Sequence, residues 1–162
     1  MSAKMKLLYI CTHNRCRSIL SEAITADLAA DVIDVRSAGS EPAGQVHPST
    51  LQALQRAGID HRSWRSESLQ AHQTFAPDVV ITVCDHAAAE ACPVWLGNAL
   101  RLHWGLPDPS KLQLDEVNTQ AAFDQVIAEI RQRVMRLRDI AQLPPQQWSD
   151  ALHQLVEEHP HA

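Results

Sequence analysis

Residues 7–18 are Leu7-Leu8-Tyr9-Ile10-Cys11-Thr12-His13-Asn14-Arg15-Cys16-Arg17-Ser18, a short apolar run followed at once by a polar loop that holds two arginines. A continuously apolar run of this kind predicts a buried strand, here over residues 6–11. Apolar residues then recur at helical spacing over residues 18–30, which predicts a helix. A strand, a tight loop and a helix in this order are the opening of a βαβ unit.

The alternation of strands and helices continues along the chain. Further strands are predicted at residues 32–37, 78–84 and 99–103, and helices at residues 48–57, 118–143 and 148–158. This order predicts an α/β fold, a single-domain three-layer sandwich with a small parallel sheet of about four strands. Two prolines end the long helix. We therefore expect one domain over residues 1–143 and a helical extension over residues 144–162, packed on that domain or partly flexible.

The composition narrows the class of protein. The chain has 162 residues, 45% apolar content and a formal net charge of −5, with no basic run. These values fit one soluble domain and argue against nucleic acid or an anionic membrane as partner. The sequence has no apolar stretch near the roughly 18 residues that span a bilayer. We expect a cytoplasmic monomer, in which four cysteines are more often catalytic, redox-active or metal-binding than structural.

The loop over residues 12–17 has the composition of an anion-binding site. Its backbone N–H groups can converge on a tetrahedral oxyanion beside the positive end of the following helix, and Arg17 offers a planar fork for two oxygens. The same field is expected to lower the pKa of Cys11. Ser18 can donate to the resulting thiolate or cap the helix, and Asn14 suits a left-handed backbone position. The alternative is a buried cysteine that happens to precede an arginine.

Two further residues are candidates near this loop. Asp108 lies between two prolines after the fourth predicted strand, where a protonated carboxyl could give a proton to a leaving oxygen. The alternative is a turn aspartate. Cys16 is interpreted either as a small packed loop residue or as the partner of Cys11 in an off-pathway disulfide.

Cys84 and Cys92 bracket a stretch rich in alanine. Cys84 ends a predicted strand, as Cys11 does, so both cysteines are expected at one edge of the sheet. Three interpretations stay open. The cysteines carry out sequential thiol–disulfide exchange from Cys11 to Cys84 to Cys92, they bind zinc together with His86, or they are inert.

Together these residues resemble the arsenate reductases that are built on the low-molecular-weight tyrosine phosphatase fold. The resemblance covers residues 6–137, and it implies a small parallel sheet of four strands flanked by helices. The segments that carry it are Cys11 to Ser18, Ser37-Ala38-Gly39, residues 79–84, Cys92-Pro93, and His103-Trp104-Gly105 before Asp108-Pro109.

The resemblance implies a mechanism for arsenic detoxification. Cys11 attacks arsenate, Arg17 and the loop hold its oxygens, and Asp108 protonates the departing oxygen. Cys84 then attacks Cys11, arsenite leaves, and Cys92 takes over Cys84 in a disulfide that an external thiol reductant reopens. Thioredoxin is the expected reductant, with glutaredoxin and glutathione as alternatives. The implied oxyanion-binding residues are Thr12, His13, Asn14, Arg15, Cys16, Arg17 and Ser18.

The resemblance also has implications for bound organic cofactors and for a potassium ion. It implies no bound organic cofactor, and the sequence has no fingerprint for one. Some relatives bind potassium beside the loop through an asparagine, a glutamate and a serine, and Asn14, Glu22 and Ser37 are at matching places, with Glu67 as a further acidic ligand.

Two other functions compete with this one. A low-molecular-weight tyrosine phosphatase would share the loop and the acid and would hydrolyse phosphomonoesters through phospho-Cys11. It would be expected to have aromatic residues beside the acid, whereas Ser110-Lys111 follows Asp108-Pro109 here, and it would leave Cys84 idle. A non-catalytic oxyanion or metal sensor would bind its ligand without turnover.

Overall fold

The computed structural model describes residues 4–84, 97, 99–111 and 115–158. The strands are β1 (Met5–Ile10), β2 (Ile33–Ala38), β3 (Val79–Thr82) and β4 (Leu100–His103). The helices are α1 (Arg17–Ala29), α2 (Pro48–Arg56), α3 (Glu116–Ala141) and α4 (Trp148–Glu158), with 3-10 turns at Leu69–His72, Pro109–Lys111 and Pro145–Gln147.

The four strands form one parallel sheet in the order β2-β1-β3-β4. The predicted α/β class and its small four-stranded parallel sheet are confirmed. From β1 the chain crosses to β2 on one side and later to β3 on the other. The carboxyl ends of β1 and β3 therefore flank the point where the strand order reverses, which is where open α/β sheets bind ligands.

Helix boundaries follow from local capping. The long helix α3 begins at Glu116, two residues before its predicted start, because the Asp115 side chain accepts a hydrogen bond from the Asn118 amide at 2.7 Å. It ends at Ala141, before the proline pair. Proline at the first position of α2 supplies a φ that suits a helix start.

The core is continuous across sheet and helices. Every residue of β1 except Lys6 is buried, and α3 packs an apolar face inward: Phe123, Val126, Ile127, Ile130, Val134 and Leu137. Helix α4 contacts α3 and β4 and buries Trp148, Leu152 and Leu155 in the same core. Across the residues that the structure describes, no helix is both long and apolar enough to cross a membrane.

Candidate active site

The loop after β1 is braced by the segment that follows β2. The carbonyl oxygens of Thr12, His13 and Arg15 accept hydrogen bonds, each at 2.9 Å, from backbone amides of residues 41, 43 and 47 respectively. Gly39 lies so close that a Cβ built on it would be 2.5 Å from the Thr12 carbonyl oxygen. The loop is thus held by backbone contacts at the N-terminus of α1, where an anion is electrostatically favoured.

Asn14 closes the loop. Its φ of 46° is in the left-handed region, as the sequence predicts. Its side-chain nitrogen donates to the hydroxyls of Ser18 and Ser37 at 2.8 and 2.9 Å, and its side-chain oxygen accepts from the Glu67 amide at 2.7 Å. One buried side chain therefore joins the loop to α1, β2 and the segment that contains Glu67.

Two thiols meet at the carboxyl ends of the two inner strands. Cys11 and Cys84 are both buried, and neither they nor Cys16 are in a disulfide. The Thr12 amide donates to the Cys84 sulfur at 3.4 Å, and the Thr12 hydroxyl is 3.5 Å from the same sulfur. The Cys11 thiol is hydrogen-bonded to Cys84. The structure thus brings Cys11 and Cys84 together, as their strand-end positions indicate.

The expectation that the pKa of Cys11 is lowered is wrong for this thiol pair. The hydrogen bond to Cys84 raises the pKa of Cys11, burial raises it further, and the charge of Arg17 only partly offsets them. The physical reason is that two adjacent thiols compete for one negative charge, so that ionising one raises the pKa of the other. A sequence shows the loop arginine but not the distant thiol that opposes it.

Arg17 and Asp108 face each other across the loop. The Arg17 Nη1 donates to the Leu106 carbonyl at 3.1 Å, and its Nη2 is 3.5 Å from an Asp108 carboxylate oxygen. Its Nε is buried and has no hydrogen-bond partner among the described residues. A buried guanidinium N–H of this kind matches an oxygen of a bound tetrahedral anion. The other Asp108 oxygen accepts from the amide and hydroxyl of Ser110 at 2.9 and 2.6 Å.

The other loop residues differ in what their side chains do. The His13 ring is 3.0 Å from the Glu41 carbonyl oxygen through its Nδ1, on the exposed side of the loop. The charge of Arg15, together with burial as the larger cause, lowers the pKa of His47. The Cys16 thiol is buried beside Thr50, and burial raises its pKa to about 11. These contacts fit the interpretation of Cys16 as a packed loop residue.

The three residues matched to a potassium site form a chain of polar contacts, in which Asn14 and Ser37 are buried and Glu22 is half-buried. The Ser37 hydroxyl donates to the Glu22 carboxylate at 2.5 Å and accepts from Asn14 at 2.9 Å. Burial raises the pKa of Glu22 to about 7, and the nearby charge of Glu67 adds to this effect. A half-buried carboxylate with oxygen-bearing neighbours is a set that a hard monovalent cation fits. No cluster of three or more His, Cys, Asp or Glu suited to a metal ion occurs among the described residues.

Cys92, the third cysteine of the predicted exchange, lies outside the described residues, and so does His86 of the zinc alternative. The structure therefore reports the geometry of the first thiol pair only.

Comparison with known proteins decides the family. The family model described as low molecular weight phosphotyrosine protein phosphatase matches residues 6–147. This chain belongs to that family. The resemblance drawn from the residues is thereby confirmed.

Relatives within the family include proteins named arsenate reductase. One from Halalkalibacterium halodurans is 35% identical over 131 residues, 81% of this chain and 93% of that protein. The solved thioredoxin-dependent arsenate reductase of Corynebacterium glutamicum matches with a TM-score of 0.67 at 28% identity, covering 87% of this chain and 63% of that one. The tyrosine phosphatase Wzb of Escherichia coli K30, in complex with sulphate, shares the fold with a TM-score of 0.66 at 19% identity, covering 85% and 98%.

Two contacts at this phosphatase-like site were missed by sequence reasoning. Ser110 fixes one oxygen of Asp108, and the Leu106 carbonyl fixes Arg17. A serine two residues after an aspartate is a familiar turn pattern and could have indicated the first contact. The second involves a backbone carbonyl 89 residues away in sequence, for which the chain carries no local signal.

Proposed function

We propose that this protein reduces arsenate to arsenite, with Cys11 as nucleophile and Cys84 as the second thiol. The observation that carries this proposal is the placement of Cys84, whose sulfur is held by the Thr12 amide and hydroxyl beside Cys11. Hydrolysis of a phosphoester by this kind of loop needs one thiol only. Two buried thiols at the same strand edge favour a reaction that ends in their oxidation. The relatives named arsenate reductase support the same proposal.

The first step is attack on arsenic. The Cys11 thiolate forms a sulfur–arsenic bond while Arg17 and the loop amides bind the remaining oxygens. One hydroxyl group of the bound arsenate takes a proton from Asp108, which lies across the loop from Arg17, and leaves as water when its bond to arsenic breaks. Arsenic is still pentavalent at this point, and no electrons have yet been transferred to it.

The second step is the reduction. The Cys84 thiolate attacks the Cys11 sulfur, a disulfide forms, and the electron pair of the sulfur–arsenic bond stays on arsenic, which departs as trivalent arsenite. Two thiols are oxidised for each arsenic reduced, so electrons balance without a bound redox cofactor. We further propose that Cys92 then attacks Cys84 and that thioredoxin reduces the resulting disulfide, since a structural relative is thioredoxin-dependent.

Two accompanying proposals concern a cation beside the loop and the cellular compartment. A potassium ion bound through Asn14, Glu22 and Ser37, with Glu67 nearby, would neutralise the half-buried Glu22 carboxylate and stiffen the loop through Asn14. A chemistry based on reduced thiols also fits a reducing compartment, so we propose that the protein acts in the cytoplasm.

The alternative function is hydrolysis of phosphomonoesters through phospho-Cys11. It is favoured by the shared fold and by the contact between Arg17 and Asp108, which would serve an aryl phosphate equally well. A phosphate and an arsenate have nearly the same shape. The two functions therefore differ in what happens after the anion is bound, and Cys84 is the residue that separates them.

The test is arsenite formation from arsenate with thioredoxin, thioredoxin reductase and NADPH, for the wild-type protein and Cys84→Ser. Turnover that the substitution abolishes supports the proposal, and turnover that survives it excludes the two-thiol mechanism. Aryl phosphate hydrolysis by the same variant checks that the loop and Cys11 are intact. Thiol titration gives a second criterion. The reduced protein loses two thiols per arsenite, whereas a sensor that only binds arsenate loses none.

A further inference from the structure

Arg133 is a buried arginine on α3 with no place in the steps above. Its side chain is 7% exposed, and its guanidinium stacks over the Trp104 ring at 4.4 Å from the ring centroid. Its two terminal nitrogens donate to consecutive backbone carbonyls, Trp104 at 2.8 Å and Gly105 at 2.9 Å, and its Nε donates to Glu129 at 3.1 Å. All three guanidinium nitrogens are thus engaged.

These two carbonyls belong to the segment that leads from β4 to the acid. Trp104 extends the pairing of β4 with β3 by one residue, because its amide donates a hydrogen bond to the Thr82 carbonyl at 2.9 Å. The Leu106 amide donates to the Val83 carbonyl at 2.9 Å. Asp108 follows two residues later. The backbone that leads to Asp108 is therefore hydrogen-bonded to the sheet through the amides of Trp104 and Leu106. The Arg133 guanidinium binds the two carbonyl groups that lie between these amides.

The contacts of Arg133 indicate that it fixes the position of this backbone and does not act mainly through its charge. Burying a guanidinium is costly, and a buried ion pair is by itself weak support for stability. The partners here are two neighbouring carbonyl oxygens, which the planar fork binds with two parallel N–H groups in one fixed orientation. A lysine ammonium has three rotatable donors but no planar fork, so it would not fix the two carbonyls in one orientation. The stacking on Trp104 adds a second constraint on the same segment.

We propose that Arg133 is a positioning residue for the general acid, holding residues 104–105 so that Asp108 faces the anion site. This inference rests on the proposed function for its assignment of Asp108 as proton donor. Among the described residues, the hydrogen bonds of the Arg133 guanidinium go to Glu129, Trp104 and Gly105, and they do not involve the anion-binding loop itself. Loss of Arg133 is expected to slow the step that needs the acid while leaving the binding of the anion largely in place.

The test compares Arg133→Met with Arg131→Met in single-turnover arsenite formation by the reduced protein. Arg131 is the matched control because it lies on the same helix and also donates to a backbone carbonyl, that of Ala57 at 3.2 Å, which is outside the site. We expect the rate constant to fall about 10- to 100-fold for Arg133→Met. The Arg131 variant should stay within about twofold, as is usual for a surface change away from the site.

A double-mutant cycle with Asp108→Asn distinguishes positioning from a general loss of structure. If Arg133 acts through the acid, Arg133→Met has little further effect once Asp108 is gone. Equal losses in both backgrounds, or a wild-type rate for Arg133→Met, would overturn the proposal. In Arg133→Ala, added guanidinium at low millimolar concentration should restore part of the rate. Arg133 lines a cavity of about 630 Å³ through which the ion can enter.

Hydrogen exchange at the Leu106 amide separates failure of this inference from failure of the proposed function. In the intact protein this amide is bonded to the Val83 carbonyl. Faster exchange at Leu106 in Arg133→Met than in Arg131→Met is expected whether or not the protein reduces arsenate. Unchanged exchange would refute the positioning by itself. Arg133→Lys offers a second variant if the methionine variant does not fold, and it should show the same faster exchange because an ammonium lacks the planar fork that fixes the two carbonyls in one orientation.

Discussion

Gly39 follows β2 and lies directly against the anion-binding loop, so replacing it by alanine tests how closely that loop must be packed. A Cβ at Gly39 would be 2.5 Å from the Thr12 carbonyl oxygen, 2.8 Å from the Cys11 carbonyl oxygen and 3.0 Å from the Asn14 nitrogen. All three are backbone atoms, so no side-chain rotation can relieve the contacts. The loop itself must move.

The size of the effect follows from these distances. The shortest contact is about 0.9 Å inside the 3.4 Å at which ordinary contact begins. Overpacking of this kind costs about 1–3 kcal/mol, which for a chain of this length lowers the unfolding midpoint by roughly 2–12 °C. Displacing one loop amide from a bound anion removes a charge-assisted hydrogen bond of about 1.5–3 kcal/mol. That loss weakens anion binding by roughly 10- to 100-fold.

The assay combines thermal unfolding with alkylation of Cys11 by iodoacetamide, from which bound inorganic phosphate is expected to protect the thiol. Gly44→Ala is the matched control because Gly44 has a φ of 84° with no atom within 4 Å of an added Cβ. It should lose stability through left-handed strain of about 1–2 kcal/mol and keep phosphate protection. If Gly39→Ala binds phosphate like the wild-type protein, the close approach of Gly39 does not shape the loop and the reasoning is refuted.

Three further predictions test the site. Cys84→Ala should speed alkylation of Cys11 at pH 7, because the thiol that raises the Cys11 pKa is gone; an equal or slower rate would contradict this cause. Asn14→Ala should cost about 2–4 kcal/mol of unfolding free energy, since two buried hydrogen bonds, one half-buried hydrogen bond and a left-handed position depend on that side chain; Asn14→Gly, which relieves the backbone strain, should cost less. In potassium-free buffer, the unfolding free energy should fall by at most about 3 kcal/mol between pH 5 and pH 8. The reason is that folded Glu22 keeps its proton up to about pH 7, well above its pKa in an unfolded chain. Denaturant unfolding at both pH values should therefore give a flatter dependence for Glu22→Gln, and equal slopes would exclude this residue as the source.

The parts of the site that depend on neighbours in the chain could be predicted from the sequence. An apolar run that ends at Ile10 and a polar loop that leads into α1 define the anion-binding loop locally. Asn14 could be assigned its left-handed backbone because few other residues tolerate that region. Likewise Cys11 and Cys84 could be placed at one edge, since each ends a strand and parallel strands bring those ends together.

The parts that depend on distant partners could not be predicted. The direction of the Cys11 pKa depends on the balance between Arg17, which is close in sequence, and Cys84, which is not. The hydrogen bonds from Arg133 to the Trp104 and Gly105 carbonyls join residues that are 29 and 28 positions apart in the sequence. On helical periodicity alone, Arg133 would be a charge on the edge of an apolar face. Such contacts are decided by how α3 packs on the sheet, and the sequence pattern carries no measure of that packing.

The raised pKa of Cys11 bears on the order of the proposed reaction. Cys84 must be close to Cys11 to attack it later, and that closeness opposes ionisation of both thiols at once. One proton lost from the pair gives a single shared thiolate, and Arg17 lowers the energy of the charge on Cys11. Once Cys11 is bonded to arsenic it no longer competes for the charge, so the competition between the two thiols ends with the first step. The contact between the two thiols therefore opposes ionisation of Cys11 and also restrains Cys84 before arsenate is bound. We predict that Cys84 becomes more reactive once Cys11 has bonded to arsenic. Mass spectrometry after a brief alkylation pulse can check this restraint: without arsenate, Cys84 should be labelled more slowly in the wild-type protein than in Cys11→Ser, where no second thiol competes for the charge, and equal rates would refute the reasoning.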